Sequence, residues 1–314
     1  MSRRLLFLFN PLAGRTAIRE HLLEILDIFV KGGCEVTVRT TQRAGELPEL
    51  IRDMAPGYDL LVTSGGDGTL NETVNGLIKY GVSIPCGFIP AGTVNDFATT
   101  LKISKNMEQA ARDIVDGTVF RCDVGKYQDG YFSYVAAFGA FTDVSYGTPQ
   151  NFKNLLGRGA YLLDGIAHLP TLKSCRLRFE YDGNVIEDDF LFGMVSNSIS
   201  VGGMPLNSRR DVTMDDGLLE VLLVKTPRLP FDPVAMVNSL QNMDESSEFF
   251  YAFKTNELHV TTLQEEPVPW SLDGEYGGCD RDVTIGVVPR ALPIIVPLSG
   301  NLRKLRMTKQ EETP

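Results

Sequence analysis

Long apolar runs are missing from this sequence. The one nearest its start, Leu5-Leu6-Phe7-Leu8-Phe9, stops at Asn10-Pro11, and no stretch approaches the roughly 18 apolar residues of a membrane-spanning helix. The run is also too short for the core of a secretion signal. Cysteine is scarce and scattered. Cys34, Cys86, Cys122, Cys175 and Cys279 are odd in number and contain no Cys-x-x-Cys pair, which argues against both a disulfide framework and a zinc site. The three histidines, His21, His168 and His259, are isolated, so no histidine triad or metal cluster is expected. Positive charge is in deficit. A formal net charge of -10 repels nucleic acid phosphates, and no broad basic stretch offsets it. Nucleic acid is therefore not an expected partner, and the expected compartment is a reducing cytoplasm.

What is present is the mix of an ordinary globular protein, 43% hydrophobic and 22% charged over 314 residues, enough for two domains with their own cores. The first third alternates strands and helices. Strands are predicted at Leu5 to Phe9, Glu35 to Thr40, Tyr58 to Thr63 and Cys86 to Ile89. Helices are predicted at Ile18 to Val30, Glu46 to Met54, Asn71 to Lys79 and Met107 to Val115. That alternation predicts a parallel, doubly wound, Rossmann-like sheet.

After Phe120 strands follow one another: Asp123 to Tyr127, Tyr131 to Phe138, Cys175 to Tyr181, Val185 to Ser196, Gly217 to Val224, Leu258 to Thr262, Asp282 to Val288 and Pro293 to Val296. One helix, Asn154 to His168, interrupts them. The reading is α/β plus β: an N-terminal α/β domain over 1–122 and a C-terminal β-sandwich over 123–300,. A basic tail over 301–314, with Arg303, Lys304, Arg306 and Lys309, has the first domain as its candidate docking surface.

The strongest chemical signal is Gly65-Gly66-Asp67-Gly68-Thr69-Leu70-Asn71-Glu72, which follows a buried strand and enters a helix. Strand carboxyl ends are where open α/β sheets bind ligands, and helix N-termini offer free N–H groups to phosphate. Glycines let the backbone come close. Asp67, badly placed beside a bare phosphate, is well placed to hold Mg²⁺ directly or through water. The competing reading is a tight turn with Asp67 as a helix cap. Two further loops end neighbouring strands. Asn10-Pro11-Leu12-Ala13-Gly14-Arg15 carries a cation suited to phosphate, or is a plain strand-to-helix turn. In Pro90 to Ala98, Thr93 and Asn95 can donate to phosphate or ribose and Asp96 can join a metal shell, or the segment is an Asn/Asp cap. Neither Gly-x-x-x-x-Gly-Lys-Ser/Thr nor Gly-x-Gly-x-x-Gly after the first strand is present,.

In the second domain, Trp270-Ser271-Leu272-Asp273-Gly274-Glu275 holds the only tryptophan and two acids around a glycine. A phosphoryl acceptor needs a positioned carboxylate to take its proton, and Asp-Gly is also a strong hairpin signal. Met214-Asp215-Asp216-Gly217-Leu218 reads as a hard-cation site on Asp216 or as a surface turn.

As an ordered set, Asn-Pro-x-x-Gly, Gly-Gly-Asp-Gly-Thr-x-Asn-Glu, Gly-Thr-x-Asn-Asp-Phe-Ala, Asp-Asp-Gly and Leu-Asp-Gly-Glu resemble the diacylglycerol kinase catalytic-domain family, the soluble bacterial lipid kinases related to sphingosine and ceramide kinases. The resemblance implies an ATP-dependent lipid kinase whose first domain has the NAD kinase type of fold. It implies ATP contacts from Asn10 to Gly14, Thr41, Gly66 to Glu72 and Thr93. Asp67, Asp96 and Glu275 would shape a catalytic Mg²⁺ network, and Glu275, or Asp273 in the same turn, would be the base. Thr213, Asp216 and Leu218 match a structural Mg²⁺ site, the first and last through backbone carbonyls. Arg15 departs from the lysine frequent in the family; it keeps the charge but not the compact ammonium.

The implied substrate is a membrane lipid met peripherally at the inner face of the membrane, with diacylglycerol going to phosphatidic acid as the first expectation and phosphatidylglycerol, a sphingoid base or a polyprenol as the others. Phe141 to Arg158 and the basic tail are the candidate membrane contacts. A homodimer is the default oligomer. An NAD kinase shares the Gly-Gly-Asp-Gly motif and is the alternative enzyme. A catalytically inactive lipid- or nucleotide-binding module is the alternative outside enzymes.

Overall fold

The computed structural model describes residues 2–11, 17–93, 95–139, 173–198, 200–201, 204–205, 213–228, 232–242 and 247–298. The chain forms two compact units. One comprises Met1–Val124, Thr213–Asp216 and Pro289–Pro314, the other Gly125–Val212 and Gly217–Val288. The division is discontinuous, unlike the contiguous one read from the sequence, because a short loop and the end of the last strand return to the first unit.

The first unit runs β1 (Arg3–Phe9), α1 (Ala17–Lys31), β2 (Cys34–Thr40), α2 (Leu47–Met54), β3 (Leu60–Gly65), α3 (Asp67–Lys79), β4 (Cys86–Pro90), α4 (Asp96–Thr100), α5 (Met107–Asp116) and the start of β5 (Thr118–Tyr127). Strand order is β2-β1-β3-β4, all parallel. Leu5 to Phe9, Leu60 to Val62 and Cys86 to Ile89 are buried, as expected of strands covered on both faces,. Helix α2 packs on α3 and α1 on α5. At the first contact a Cβ on Gly76 would lie 2.9 Å from the Pro48 Cα, which accounts for a glycine inside a helix. Because β2 lies on one side of β1 and β3 on the other, the winding reverses between β1 and β3, the switch point at whose carboxyl ends such sheets bind ligands.

Two boundaries differ from the sequence reading for local reasons. Ala55–Gly57 closes a short 3-10 turn whose C-cap is Tyr58, so β3 begins at Leu60. Helix α3 begins at Asp67, with Gly66 as its extended N-cap, so the glycine loop itself enters the helix.

The second unit continues with the end of β5 and then β6 (Gly130–Phe132), β7 (Val135–Gly139), β8 (Cys175–Tyr181), β9 (Asn184–Ser196), β10 (Ser200–Val201), β11 (Met204–Pro205), β12 (Leu219–Lys225), α6 (Pro233–Asn242), β13 (Phe250–Thr255), β14 (Glu257–Thr262), β15 (Trp270–Leu272), β16 (Glu275–Gly278) and the first part of β17 (Asp282–Val296). Its pairings are antiparallel. Strand β9 branches the sheet: its first half pairs with β8, and its second half lies between β7 and β12. The branched sheet closes on one core that includes Phe138, Phe179, Phe190, Val221 and Trp270, the β-sandwich arrangement expected. Phe138 sits 4.9 Å from the Trp270 ring and 6.0 Å from the Phe179 ring, within the range where aromatic pairs add to simple burial.

The single strand expected over Tyr131 to Phe138 is broken at Ser133-Tyr134, whose amides bind a side chain instead of a neighbouring strand. The two strands expected after Asp282 are one, β17, with Arg290 at φ 52°. Strand β13 and helix α6 had no clear periodicity in the sequence. The helix expected over Asn154 to His168 lies outside the described residues, as do Phe141 to Arg158 and the tail. No described helix is long and apolar enough to cross a membrane.

All five cysteines are free, and of these only Cys279 is exposed. Burial pushes the Cys86 thiol up to about 12 and that of Cys122 well above its ordinary value, the latter aided by Asp123 and Asp215. Titration of native protein with a chromogenic thiol reagent near neutral pH should therefore give one fast thiol, with the other four reacting only after denaturation. Several fast thiols in the native protein would contradict this packing.

Candidate active site

The parallel strands of the first unit end level with one another. Phe9 pairs with Thr40 and Ser64, and Gly65 with Pro90. Asn10, Thr41, Gly66 and Ala91 thus leave the sheet along one edge, and the Thr41 N–H donates to the Phe9 carbonyl at 3.0 Å.

At that edge the glycine loop is held by close contact. A Cβ on Gly65 would lie 2.1 Å from the Thr69 Oγ1, and one on Gly92 would lie 2.7 Å from the Gly66 Cα. The Ala91 N–H donates to the Gly65 carbonyl at 2.7 Å. The loops after β3 and β4 therefore touch backbone to backbone. Leu70 N–H to the Gly66 carbonyl, 3.1 Å, opens the ladder of α3. The amides of Asp67, Gly68 and Thr69 precede that ladder at the positive end of the helix, an arrangement that suits an anion.

Asp67 accepts from the Asn95 N–H through Oδ2 at 2.9 Å, which ties the two loops a second time. Asn95 is 2% exposed and left-handed at φ 56°. Its Oδ1 accepts from the Gly92 N–H and its Nδ2 donates to the Gly92 carbonyl. The side chain read as a phosphate or ribose donor is thus turned onto its own loop. Thr93 is exposed, and Asp96 is buried at the start of α4. Glu72 takes the amides of Gly45 and Leu47, at 3.1 and 3.3 Å, so its carboxylate fastens the loop that enters α2. Asn71 holds Asn75 one turn on. Asn10 and Pro11 are half-buried at the edge; Leu12, Ala13, Gly14 and Arg15 lie outside the described residues.

In the second unit, Leu272 pairs with Glu275 across a two-residue turn. Asp273 at φ 51° and Gly274 at φ 88° both have positive φ, the signature of a type I′ hairpin. The Asp273 carboxylate is 6% exposed. Its Oδ2 accepts from the Ser133 N–H at 2.6 Å, and its Oδ1 from the Tyr134 and Val135 N–H groups, both at 3.0 Å. Its own N–H donates to the Val135 carbonyl at 2.9 Å. Glu275, two residues on, is exposed. Trp270 anchors the hairpin through Tyr127 and Phe138.

The Thr213–Asp216 loop is fixed by Asp123, a residue the sequence reading took only as the start of a strand. The Asp123 N–H donates to the Met214 carbonyl, and its Oδ1 accepts from the Arg290 N–H, each at 2.7 Å. The loop borders an open cavity of about 880 Å³ with Arg121, Arg290 and Ser83. Ser83 precedes β4, so this cavity lies toward the amino ends of the strands, away from the glycine loop. Leu218 follows in the same turn, ahead of β12. Among the described residues no three His, Cys, Asp or Glu side chains form a metal-holding group.

The sequence reading missed two supports of the glycine-loop edge, the Gly66–Gly92 contact and the Glu72 brace, and one at the far end of the strands, the Asp123 clamp. Only the first left a local signal, the Pro-Ala-Gly at a strand end.

Comparison with known proteins supplies the family. The family model for the diacylglycerol kinase catalytic domain matches residues 4–127. Relatives named diacylglycerol kinase include those of Bacillus subtilis and Staphylococcus carnosus. Each is 32% identical over 279 residues, 88% of this chain and 91% or 90% of theirs. A solved structure titled a putative diacylglycerol kinase, from Bacillus anthracis, superimposes with a TM-score of 0.77 at 26% identity, covering 95% of this chain and 96% of that one. Similarity at that level across nearly the whole chain, on a fold with a phosphate-suited loop at its sheet edge, places the chain in the diacylglycerol kinase family.

Proposed function

We propose that the chain is an ATP-dependent lipid kinase that transfers the γ-phosphoryl group to a lipid hydroxyl, with diacylglycerol as acceptor and phosphatidic acid as product. The observation that carries the reading is the side-chain-free cradle of Gly65, Gly66 and Gly92 ahead of the α3 amides, at the switch point of a parallel sheet,. Glycine at 65 and 92 leaves room for Thr69 and for the neighbouring loop, and the closed loops set the first amides of α3 at the edge, where a triphosphate can accept from them. In this reading Asn10 to Gly14, Thr41, Gly66 to Thr69 and Thr93 contact ATP, while Asn95 and Glu72 hold the loops.

Mg²⁺ fits the donors present. This ion is commonly held by one or two carboxylates together with substrate phosphates, and Asp67 and Asp96 stand on the two loops joined by the Asn95–Asp67 hydrogen bond. When bound there it would neutralise charge on the transferred phosphoryl group. Thr213, Asp216 and Leu218 remain the proposed second, structural cation site.

The geometry divides the labour of the two acids in the hairpin. Asp273 already accepts three backbone N–H groups, so its carboxylate is committed to holding the turn. Glu275 is the proposed general base for the acceptor hydroxyl, and Asp273 sets the turn that presents it. Peripheral contact with the membrane belongs to the same proposal, since the acceptor resides there.

Glu275→Gln should lower kcat by about 10²–10⁴-fold, the usual range for a general base, with the fold retained by circular dichroism. Asp67→Ala should abolish lipid-dependent turnover of radiolabelled ATP. Undiminished turnover in either variant sinks that assignment.

Asp273→Ala should behave differently. It strands buried amides and should cost about 3 kcal/mol of unfolding free energy in a denaturant titration, whereas Glu275→Gln should cost little. Equal stability of the two variants would remove Asp273 from the turn-holding role.

A further inference from the structure

Strand β2 is the outermost strand on its side of the first unit's sheet. Among the described strands it pairs only with β1, and all seven of its residues are in register there without a bulge. The Arg3 N–H donates to the Gly33 carbonyl, and the Thr41 N–H to the Phe9 carbonyl. Odd-numbered residues of β2 therefore turn their backbone groups toward β1. The N–H and C=O groups of Val36 and Val38 point out of the sheet. Such an edge is a template for another strand, and folded proteins blunt it with charge, proline, a bulge or a cover. Cys34–Thr40 has no proline and no bulge, and its two charges, Glu35 and Arg39, are opposite in sign. Val38 is 40% exposed.

The apolar surface at this edge extends beyond Val38. Val38 pairs with Phe7, whose ring meets Phe29 of α1, so Val38 lies on the α1 side of the sheet. On α1, His21 pairs with Glu108 of α5, and a Cβ at Gly32 would meet Val115 of α5. Leu23 and Val30 lie two positions from His21 and Gly32, roughly 160° around the helix. Helix α5 packs on β4, toward the other end of this parallel run, so Leu23 and Val30 face the β2 edge. They are 77% and 60% exposed.

On the opposite face of β2 the charges are symmetric. Glu35 and Arg39 are each two residues from Thr37. Both are exposed, and no described side chain pairs with either.

We propose that this edge docks a second copy of the chain, the two β2 strands running antiparallel about a two-fold axis at Thr37. A contact of this kind is closed and self-complementary, with one patch serving both sides. Val36 then meets Val38 of the second copy twice, with a pair of N–H···O=C bonds each time, and Glu35 meets Arg39 of the second copy twice. Centring the pairing on Val36 or Val38 would set both charges opposite uncharged residues. Centring it on Glu35 or Arg39 would set like charges face to face, which is unfavourable. Charge therefore selects the Thr37 register, and Leu23 and Val30 of both copies fall on one face of the joined sheet. The contact is independent of the lipid-kinase reading.

Sedimentation of the purified full chain at micromolar concentration should give the mass of two chains. Glu35→Arg should set arginines face to face and raise the dimer Kd about ten- to a hundredfold, and Arg39→Glu should do the same with glutamates. Combining the two reversals should return the Kd to near its native value, with circular dichroism unchanged in all three variants. Thr37→Cys, in a Cys279→Ser background that removes the exposed thiol, should cross-link two chains on mild oxidation. Residues facing across a non-hydrogen-bonded antiparallel pair have Cα atoms about 4.5 Å apart, within reach of a disulfide. Glu35→Cys in the same background should not cross-link, because the two copies of residue 35 would lie about 14 Å apart along the strands. A monomeric native chain overturns the proposal. So does a dimer that is indifferent to the single reversals, is not restored by the double one, or fails to cross-link at position 37.

Discussion

Backbone-to-backbone contact between Gly66 and Gly92 is the constraint on which the first unit's edge depends. A side chain at position 92 would collide with the Gly66 Cα, whereas a Cβ at Gly66 would stand 3.5 Å from the Gly92 Cα in ordinary contact, so the loops after β3 and β4 can meet only if position 92 is bare. Their meeting lets the Asn95 amide reach the Asp67 carboxylate, and that bond fixes the acid at the start of α3. The parallel register of β1, β3 and β4 brings the loops level, while the glycines let them touch. Register without glycines would give two separate turns, and glycines without register would give two flexible loops.

In both units the polar side chains divide into those that hold the backbone and those left exposed. Glu72 holds the loop into α2, Asn95 holds its own loop and Asp123 holds the Thr213–Asp216 turn. Each has its polar atoms engaged by backbone. Thr93 and Glu275, by contrast, are exposed. Preorganisation of this kind is what phosphoryl transfer asks of a protein, since the chemistry consists mostly of positioning and charge.

Much of the fold was legible because its signals are local. The all-apolar strands Leu5 to Phe9 and Cys86 to Ile89 announce a doubly covered sheet, and helical spacing marks α1 and α5. The glycine loop was legible for the same reason, a rare string in a fixed context. What stayed hidden is what depends on distant partners. The break at Ser133-Tyr134 comes from a carboxylate some 140 positions away along the chain. The continuity of β17 through Arg290 depends on Asp123, 167 positions away. Strand β13 owes its place to pairing with β12, not to an alternating pattern of its own.

The hairpin at Trp270 to Glu275 shows how the structural reading of one motif leaves room for the chemical one proposed for it. As sequence, Asp-Gly is either a turn or an acid beside a base candidate. In the fold it is a type I′ turn, and the turn is what makes the second acid available. Positive φ at Asp273 bends the chain so that its carboxylate meets three successive amides. That closure leaves Glu275 at the start of β16 with its side chain in the open. Asparagine could adopt the same backbone but would present one acceptor oxygen and an NH₂ where two acceptors are needed. The requirement for aspartate at 273 is therefore set by hydrogen-bond count, while that for glutamate at 275 would follow from its proposed role as base.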